Sequence, residues 1–170
     1  MNLIVAVDKN YGIGCKGSLL FHIPADLQYF KRKTDGKVVV MGDLTLQSLP
    51  GGKPLLNRTN IVLSHNSELK VEGVVVVNSL ERLFEEIKNY ESGDIFVIGG
   101  QTVYELLMPY CEYAYITEID AEAPADRHLA GLADGAVWKK IEESPPQFDN
   151  GYSFKFCKYV NKNPSTWIAK

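Results

Sequence analysis

One carboxylate, Asp26, lies in a largely apolar segment that runs from Phe21 to Phe30, and it is the strongest candidate for catalytic or ligand-binding chemistry. Pro24 favours the start of a helix there. The N–H groups of a first helical turn have no acceptor within the helix, so the missing N–H of proline costs nothing at that position. Asp26 and Phe30 then share a face, since residues four apart lie on the same side of a helix. An ionised acid among apolar side chains is unfavourable unless it has a partner or a function. The alternative is an acid that only interacts with the helix dipole.

Three further segments lie where a strand-like run meets a helix-like run, the positions at which open α/β sheets bind ligands. The glycines of residues 12–20 predict a mobile loop over a ligand, or simply a long connection. Gly99-Gly100 would let the backbone approach a ligand, and the helix that follows would offer free N–H groups to a phosphate, with a tight structural turn as the alternative. In residues 40–45, Thr45 would either bind a phosphate oxygen or cap a helix.

Arg58 precedes an apolar strand pattern. A guanidinium at such a position can bind a carboxylate through two hydrogen bonds, although an ordinary solvated arginine is the alternative. The sequence contains no GxGxxG, P-loop, GxSxG or HExxH motif, so the common nucleotide, hydrolase and zinc signatures are absent.

The composition narrows the class of protein. The 170 residues, 45% of them hydrophobic, suit one domain with a sizeable core. A net charge of −3 argues against nucleic acid or an anionic membrane as a partner, and no apolar run approaches the ~20 residues of a membrane span. The three cysteines lack CxxC spacing and the three histidines lack metal-ligand spacing, so we expect a reducing, cytoplasmic location and no metal site.

Short apolar runs alternate with helical patterns, which predicts a single α/β domain with right-handed crossovers. The predicted strands are residues 3–7, 38–41, 60–63, 73–77, 95–98, 113–119 and 152–160, and the predicted helices are 25–33, 44–49, 80–90 and 102–108. The last third has no good helix, so we expect an antiparallel addition at the sheet edge, with a turn at Asp149-Asn150-Gly151 before the final strand. Residues 161–170 are expected to form a loosely held tail outside a domain of residues 1–160.

Taken in order, these segments resemble dihydrofolate reductase of the bacterial chromosomal type. The matching segments are Val5-Ala6-Val7, Gly12-Ile13-Gly14, Ile23-Pro24-Ala25-Asp26-Leu27, Val40-Met41-Gly42, residues 57–64, Val97-Ile98-Gly99-Gly100, Val103-Tyr104-Glu105 and residues 117–121 with Asp126. Each motif is weak alone, but the series follows the family's order and spacing from residue 1 to about 160.

The resemblance implies a central, mostly parallel sheet of eight strands with an antiparallel C-terminal edge and about four flanking helices. It implies hydride transfer from a reduced nicotinamide to 7,8-dihydrofolate, giving tetrahydrofolate for one-carbon metabolism and thymidylate synthesis. Asp26 would hydrogen-bond the pterin and favour its protonated form, with Thr117 assisting. Residues 14–19, which include Leu19, would form a lid over the nicotinamide, and Tyr104 would lie beside that ring.

The resemblance also implies a ligand set, with dihydrofolate and antifolates as small-molecule ligands, NADPH as cofactor and a monomeric enzyme. The expected substrate-binding residues are Ile4, Val5, Ala6, Leu27, Phe30, Lys31, Leu49, Leu55, Arg58 and Ile98, with Arg58 holding the glutamate α-carboxylate. The expected cofactor-binding residues are Ala6, Ile13, Gly14, Gly17, Ser18, Gly42, Asp43, Leu44, Thr45, Leu63, Ser64, His65, Asn78, Gly99, Gly100, Gln101, Thr102, Val103 and Tyr104.

Two departures from the family pattern stand out. Phe21 replaces a common tryptophan, so an indole N–H near the acid is missing. Asp43 replaces a common arginine on the cofactor side, and a carboxylate ~6 Å from a phosphate costs roughly 2–3 kcal/mol per phosphate charge at an effective dielectric near 20. We therefore expect a weakened NADPH preference or some use of NADH, unless Asp43 points to solvent and backbone N–H groups hold the pyrophosphate.

Two other functions remain open at this point. One is a related reductase on the same fold that acts on a ribosylaminopyrimidine of riboflavin synthesis. It should lack both the acid at Asp26 and the carboxylate-binding Arg58. The other is a non-catalytic folate- or nucleotide-binding protein, for which Asp43 is the only support.

Overall fold

A mixed β-sheet forms the centre of the computed structural model, which describes residues 1–167. The strands are β1 (Asn2–Val7), β2 (Gly12–Gly14), β3 (Val38–Gly42), β4 (Thr59–Leu63), β5 (Val74–Val77), β6 (Ile95–Gly99), β7 (Tyr113–Ile119), β8 (Arg127–His128), β9 (Trp138–Glu143), β10 (Gln147–Asp149) and β11 (Tyr152–Asn161). The main sheet has the order β10-β11-β7-β1-β6-β3-β4-β5, and β9 also pairs with β11. Because β9 and β10 lie end to end beside β11, the sheet is eight strands wide.

Strand direction divides the sheet into two parts. All pairings from β7 through β1, β6, β3 and β4 to β5 are parallel. The strand β11 runs antiparallel to β7, β9 and β10. The expected α/β fold with an antiparallel C-terminal edge is thus confirmed.

Four α-helices connect the strands: α1 (Pro24–Thr34), α2 (Asp43–Ser48), α3 (Leu80–Ile87) and α4 (Gln101–Leu107). The predicted third helix was too long, because its buried positions end at Ile87 and Tyr90 is exposed. Ser79 caps α3, since its hydroxyl accepts a hydrogen bond from the Arg82 N–H at 3.1 Å.

The continuously apolar runs form the interior strands. In β3, residues Val38 to Met41 are at most 1% exposed, as expected for a strand covered on both faces. Because β1, β3, β4, β5 and β6 are parallel, they all end on the same side of the sheet. We call this side the C-terminal edge, as distinct from the antiparallel edge strands. That edge carries the candidate segments at residues 40–45 and at Gly99-Gly100.

The C-terminal segment packs against the domain, so the expectation of a loose tail was wrong as far as residue 167. Trp167 is 9% exposed and lies 6.0 Å, between ring centroids, from Phe84 of α3. The Ser165 N–H donates to the Pro109 carbonyl at 2.8 Å. Burial of an indole ring is a large apolar contribution, which explains why this polar-looking segment is held. Residues 168–170 lie outside the described part of the chain.

Among the described helices, none has both the length and the apolar character needed to cross a membrane.

Candidate active site

The helix that carries Asp26 begins with help from a distant part of the chain. Ile23 occupies the N-cap of α1 but has no side-chain oxygen to bind the free N–H groups. Asp149, the last residue of β10, accepts a hydrogen bond from the Ala25 N–H at 2.8 Å. Asn150 adds a hydrogen bond to the His22 carbonyl at 2.6 Å. The first turn of α1 is therefore completed by the β10–β11 hairpin.

Asp26 and Thr117 are in direct contact. The Thr117 hydroxyl, on β7 and 2% exposed, donates to Asp26 Oδ1 at 2.5 Å. Burial raises the pKa of Asp26 above its usual range, and the hydrogen bond from Thr117 lowers it in part. The site therefore holds one acid that gains a proton more readily than an acid in water.

A small cavity of about 30 Å³ lies beside this acid. Its lining is otherwise almost entirely apolar and comes from Ala6, Gly12, Ile13, Leu19, Leu20, Phe21, Ile23, Leu27 and Ile119. The volume is sufficient for a water molecule. Phe21 packs edge-on against Tyr152 at 4.8 Å between centroids, so it contributes an apolar wall and no hydrogen-bond donor.

The side chain of Tyr104 is buried beneath the C-terminal edge of the sheet. It is 4% exposed, and its hydroxyl donates to the Ile4 carbonyl of β1 at 2.7 Å. Burial raises its pKa well above the usual value, so Tyr104 stays protonated. The side chain joins α4 to β1.

The expected lid, residues 14–19, is a tight turn fastened to a second loop. Cys15 and Ser18 exchange backbone hydrogen bonds of 3.0 Å, and Lys16 and Gly17 both have positive φ. Asp126 Oδ2 accepts from the Lys16 N–H at 2.9 Å, while the Asp126 N–H donates to Gly14 at 3.0 Å. The exposed Leu19 side chain lies on this turn.

Asp8 organises the base of the lid, although it is not among the candidate residues that the sequence predicts. This buried carboxylate accepts hydrogen bonds from the N–H groups of Asn10 at 2.8 Å, Gly12 at 2.7 Å and Ala123 at 3.2 Å. A Cβ on Gly12 would lie 2.8 Å from the Ala125 Cβ, so only glycine fits. An Asp-x-Asn-x-Gly pattern that suits backbone capping was the available signal.

The residues expected to bind the cofactor come together at the C-terminal edge of the parallel strands. Most of them lie at the ends of β3 and β4, after β5 and at the β6–α4 junction, while Ala6 lies on β1, Ile13 and Gly14 lie on β2, and Gly17 and Ser18 follow β2. A Cβ on Gly100 would lie 3.3 Å from Thr45 Oγ1, and one on Gly42 would lie 3.3 Å from the Val103 side chain. These glycines therefore let two strand–helix junctions approach closely and leave backbone accessible, as a phosphate-bearing dinucleotide requires.

Asp43 does not extend freely into solvent. Its Oδ2 accepts from the Ser64 hydroxyl at 2.9 Å and its Oδ1 accepts from the Leu44 N–H at 2.9 Å. Ser64 is 5% exposed and also accepts from the Asn66 N–H at 3.1 Å. The carboxylate is thus directed across the edge toward the end of β4.

The other expected cofactor residues differ in exposure. His65, Asn78 and Thr102 are exposed, while Val103 is buried in the core. Gln101 accepts from the His128 N–H at 3.0 Å and donates to Glu105 at 2.8 Å, which connects α4 to the loop that holds the lid. Leu63 is half-buried at the end of β4, and Leu44 is exposed.

The expected substrate-lining residues form two groups. Ile4, Val5 and Ala6 lie on β1 and Leu27, Phe30 and Lys31 lie on α1, and Ala6 and Leu27 line the same cavity. Leu49, Leu55 and Ile98 pack together with the cluster of Val39, Met41, Leu46 and Val62. Leu27 is 41% exposed, so an apolar side chain of α1 faces open space beside Asp26. A planar apolar ligand would cover it.

Arg58 lies at the opposite end of β4 from Ser64, next to the C-terminal end of α1. The guanidinium donates to Thr34 Oγ1 from Nε at 3.2 Å and from Nη2 at 3.1 Å, to the Lys31 carbonyl at 3.1 Å and to the Leu56 carbonyl at 2.6 Å. Its side chain is 6% exposed. Thr34 and its neighbour Asp35 were not singled out in the sequence, because they precede Arg58 by more than twenty residues.

One cluster of metal-ligand side chains lies away from this site. Glu118, Glu143 and Cys157 have ligand atoms within 4.8 Å of one another. The Lys140 ammonium lies between the two carboxylates, at 2.9 Å from Glu118 and 2.7 Å from Glu143. Hydrogen bonds from Lys140 and Lys155 lower the pKa of Glu143 to about 2. The cluster is an ion-pair network whose cations are Lys140 and Lys155.

Comparison with known proteins identifies the family. The family model for dihydrofolate reductase matches residues 1–161. Dihydrofolate reductase of Bacillus subtilis is 36% identical over 167 residues, with 97% of this chain and 96% of the relative covered. The type 3 dihydrofolate reductase of Salmonella typhimurium is 35% identical over 160 residues, covering 94% and 95% of the two chains.

A solved structure agrees with these matches. Dihydrofolate reductase from Enterococcus faecalis, complexed with NADP(H) and RAB-propyl, superposes with a TM-score of 0.86 at 34% identity, covering 95% of this chain and 96% of that one. The match to the family model and relatives above 30% identity along almost the whole chain leave the pyrimidine reductase and the non-catalytic protein without support. The fold, the order of its segments and these relatives agree: the chain belongs to the dihydrofolate reductase family, of the bacterial type.

Proposed function

We propose that the chain reduces 7,8-dihydrofolate with NADPH as hydride donor, and that Asp26 anchors the pterin. Dihydrofolate reduction is the reaction of the family to which the chain belongs. The observation that carries the role of Asp26 is its hydrogen bond to Thr117 at the edge of an apolar cavity.

The chemistry of the acid follows from its surroundings. An ionised Asp26 can accept hydrogen bonds from an amino group and a ring N–H of a pterin, while Thr117 holds the carboxylate in place. Because burial makes the charged form of Asp26 unfavourable, a cationic pterin that pairs with it is stabilised. Reduction adds a hydride at C6 and a proton at N5 of the pterin, and the cavity beside Asp26 is a route by which water can deliver that proton.

NADPH supplies the hydride when it is bound. The glycine-lined junctions at Gly42 and Gly99-Gly100, with Thr45 between them, fit a dinucleotide because they expose backbone at the carboxyl ends of parallel strands. The similar Enterococcus faecalis enzyme is complexed with NADP(H), which supports the same cofactor here. Neither the fold nor the relatives favour NADH, and its use stays a prediction from Asp43 alone.

The remaining assignments are proposals with separate support. The lid of residues 14–19 covers the nicotinamide end with Leu19, and the buried Tyr104 supports β1 beneath it. Arg58 binds the glutamate carboxylate at the far end of β4. Residues 1–160 form the expected catalytic domain, and Trp167 packs against it beside Phe84. A monomer in the cytoplasm, where its three unpaired cysteines stay reduced, is the expected state.

The test is the oxidation of NADPH in the presence of dihydrofolate, followed by absorbance. Asp26→Asn should lower kcat near neutral pH by at least ~100-fold, the usual range for loss of an acid–base group. Asp94→Asn, which changes an acid outside the site, is the matched control and should keep wild-type turnover. Near-wild-type turnover of Asp26→Asn would overturn the assignment of the acid.

A further inference from the structure

Arg58 has little hydrogen-bonding capacity left for a ligand. A guanidinium has five N–H donors. Arg58 uses its Nε–H and both N–H groups of Nη2 on Thr34 and the Lys31 carbonyl, and one N–H of Nη1 on the Leu56 carbonyl. The remaining N–H therefore belongs to Nη1.

That same nitrogen faces a carboxylate of the protein. Asp35 Oδ1 lies 3.6 Å from Arg58 Nη1 and accepts a hydrogen bond from Asn57 Nδ2 at 3.0 Å. Asn57 has a φ of 56°, a left-handed conformation that asparagine tolerates, and this places its amide toward Asp35. Asp35 is thus held in the field of the guanidinium by its neighbour.

Helix stability does not explain an acid at this position. Asp35 is the C-cap residue of α1, where the negative end of the helix dipole disfavours an anion. The last turn already contains three basic residues that interact favourably with the negative end of the dipole, namely Lys31, Arg32 and Lys33. The partners of the Asp35 side chain are Asn57 and Arg58.

We propose that Asp35 is a specificity-determining residue, an internal counter-ion of Arg58 that competes with the glutamate carboxylate of the substrate. The inference rests on the proposed role of Arg58 in binding that carboxylate. The arriving carboxylate meets a guanidinium that is already partly neutralised, and a two-point contact requires it to displace Asp35 and one backbone acceptor. Asp35 is about half exposed, with 52% of its side chain accessible, so it can swing into solvent when the substrate binds.

Asp35 is expected to affect two kinds of ligand differently. Asp35 weakens the binding of ligands that carry a glutamate carboxylate, and leaves unchanged the binding of ligands that have only a pterin-like ring. The reason is that Asp35 lies beside α1's C-terminal end, whereas the ring-binding Asp26 lies in the first turn of the same helix. A helix of this length separates the two by roughly 13 Å, at 1.5 Å per residue, which exceeds the Debye length at physiological salt.

Asp35→Asn is the informative variant, because an asparagine keeps an oxygen to accept from Asn57 while removing the charge. We expect KM for dihydrofolate to fall about threefold with kcat unchanged, within the range of exposed ion pairs. In an Arg58→Gln background, Asp35→Asn should leave KM unchanged. The Kd of a 2,4-diaminopyrimidine inhibitor without a glutamate should be equal in wild type and Asp35→Asn.

Glu85→Gln is the matched control, since it removes one negative charge from an exposed ion pair with Lys88. This pair lies at the end of α3, whereas Asp35 lies at the end of α1. The control variant should leave KM for dihydrofolate unchanged. A KM of Asp35→Asn equal to wild type, when Arg58→Gln raises KM, would overturn the proposal and leave the Arg58 clamp standing. If Arg58→Gln also leaves KM unchanged, both the clamp and the role of Asp35 are rejected. Failure of the proposed function itself would appear separately, as wild-type protein that does not turn over dihydrofolate.

Discussion

Asp149 closes the first turn of the helix that carries Asp26, through a 2.8 Å hydrogen bond from the Ala25 N–H to its carboxylate. A carboxylate at this end of a helix both accepts from a free N–H and interacts favourably with the dipole. The position of the candidate catalytic acid therefore depends on a hairpin that lies 124 residues further along the chain.

Removing this cap should lower both stability and catalysis. Asp149→Ala is expected to reduce the free energy of unfolding by about 1 kcal/mol, the usual value for loss of an N-cap acceptor, and to reduce kcat because the first turn frays. Asp149→Asn keeps an acceptor and should lose less. Urea unfolding and turnover on dihydrofolate measure the two effects. Equal stability of the alanine variant and the wild type would show that water replaces the cap without loss.

Asp26 should oppose folding at neutral pH. Burial raises the pKa of Asp26 in the folded state above its value in the unfolded chain, which is near 3.8. Protonated Asp26 therefore contributes to the free energy of unfolding below pH 3.8, and this contribution is lost as the pH rises through the pKa of the folded state. Asp26→Asn should consequently be more stable than wild type at pH 7, and the advantage should disappear below about pH 3.8. Denaturant unfolding of both proteins across this range measures the difference. An advantage that does not vary with pH would contradict it.

Asp126 should control the lid. Its Oδ2 accepts from the Lys16 N–H, so Asp126→Ala is expected to free the turn of residues 14–19 and raise KM for NADPH severalfold. Asp120→Asn is the control, because Asp120 is paired with Lys9 at the protein surface. Faster exchange of the Lys16 amide hydrogen in Asp126→Ala would report the opening directly. Unchanged exchange and KM would indicate that the β2–β8 pairing alone holds the lid.

Asp43 should weaken discrimination in favour of NADPH. The carboxylate lies with Ser64 at the edge expected to bind the cofactor phosphates, and two negative groups there repel each other. Asp43→Asn keeps an acceptor for Ser64 and should raise the NADPH-to-NADH ratio of kcat/KM by about tenfold, close to 1.4 kcal/mol. Ser64→Ala, which removes the hydrogen bond and keeps the charge, separates the two contributions. A ratio that does not change in Asp43→Asn would place the phosphate away from Asp43.

The sequence was sufficient where local pattern decides structure. The buried runs of β3 and β6 are continuously apolar, and Pro24 indicated the start of α1 within one residue. It was insufficient for β9, whose residues Trp138 to Glu143 are mostly charged. This strand forms because its backbone pairs with β11, and its side chains enter the Lys140–Glu118–Glu143 network.

The same distinction applies to the candidate site. Asp26 and Arg58 stand out as charged residues beside apolar runs, so they were found. Asp8, Asp35 and Asp149 matter through contacts with backbone or with Arg58. The local patterns at Asp8 and Asp149 indicate turns, but the residues that they contact at a distance in the chain cannot be read from those patterns. Trp167 was missed for a similar reason, since the aromatic neighbour that buries it, Phe84, is more than eighty residues earlier.

The place of β1 in the sheet has a consequence for synthesis of the protein. Among the described strands, β1 is synthesised before the others and is an interior strand, and both of its neighbours, β6 and β7, begin more than ninety residues later. Until they are made, β1 has two unpaired edges and an apolar sequence, a combination that favours association with other chains. Pairings between residues so distant in sequence also form slowly. Early arrest of translation would therefore leave β1 unpaired and prone to association, and the edge that carries the candidate site would assemble only in the last stage of folding.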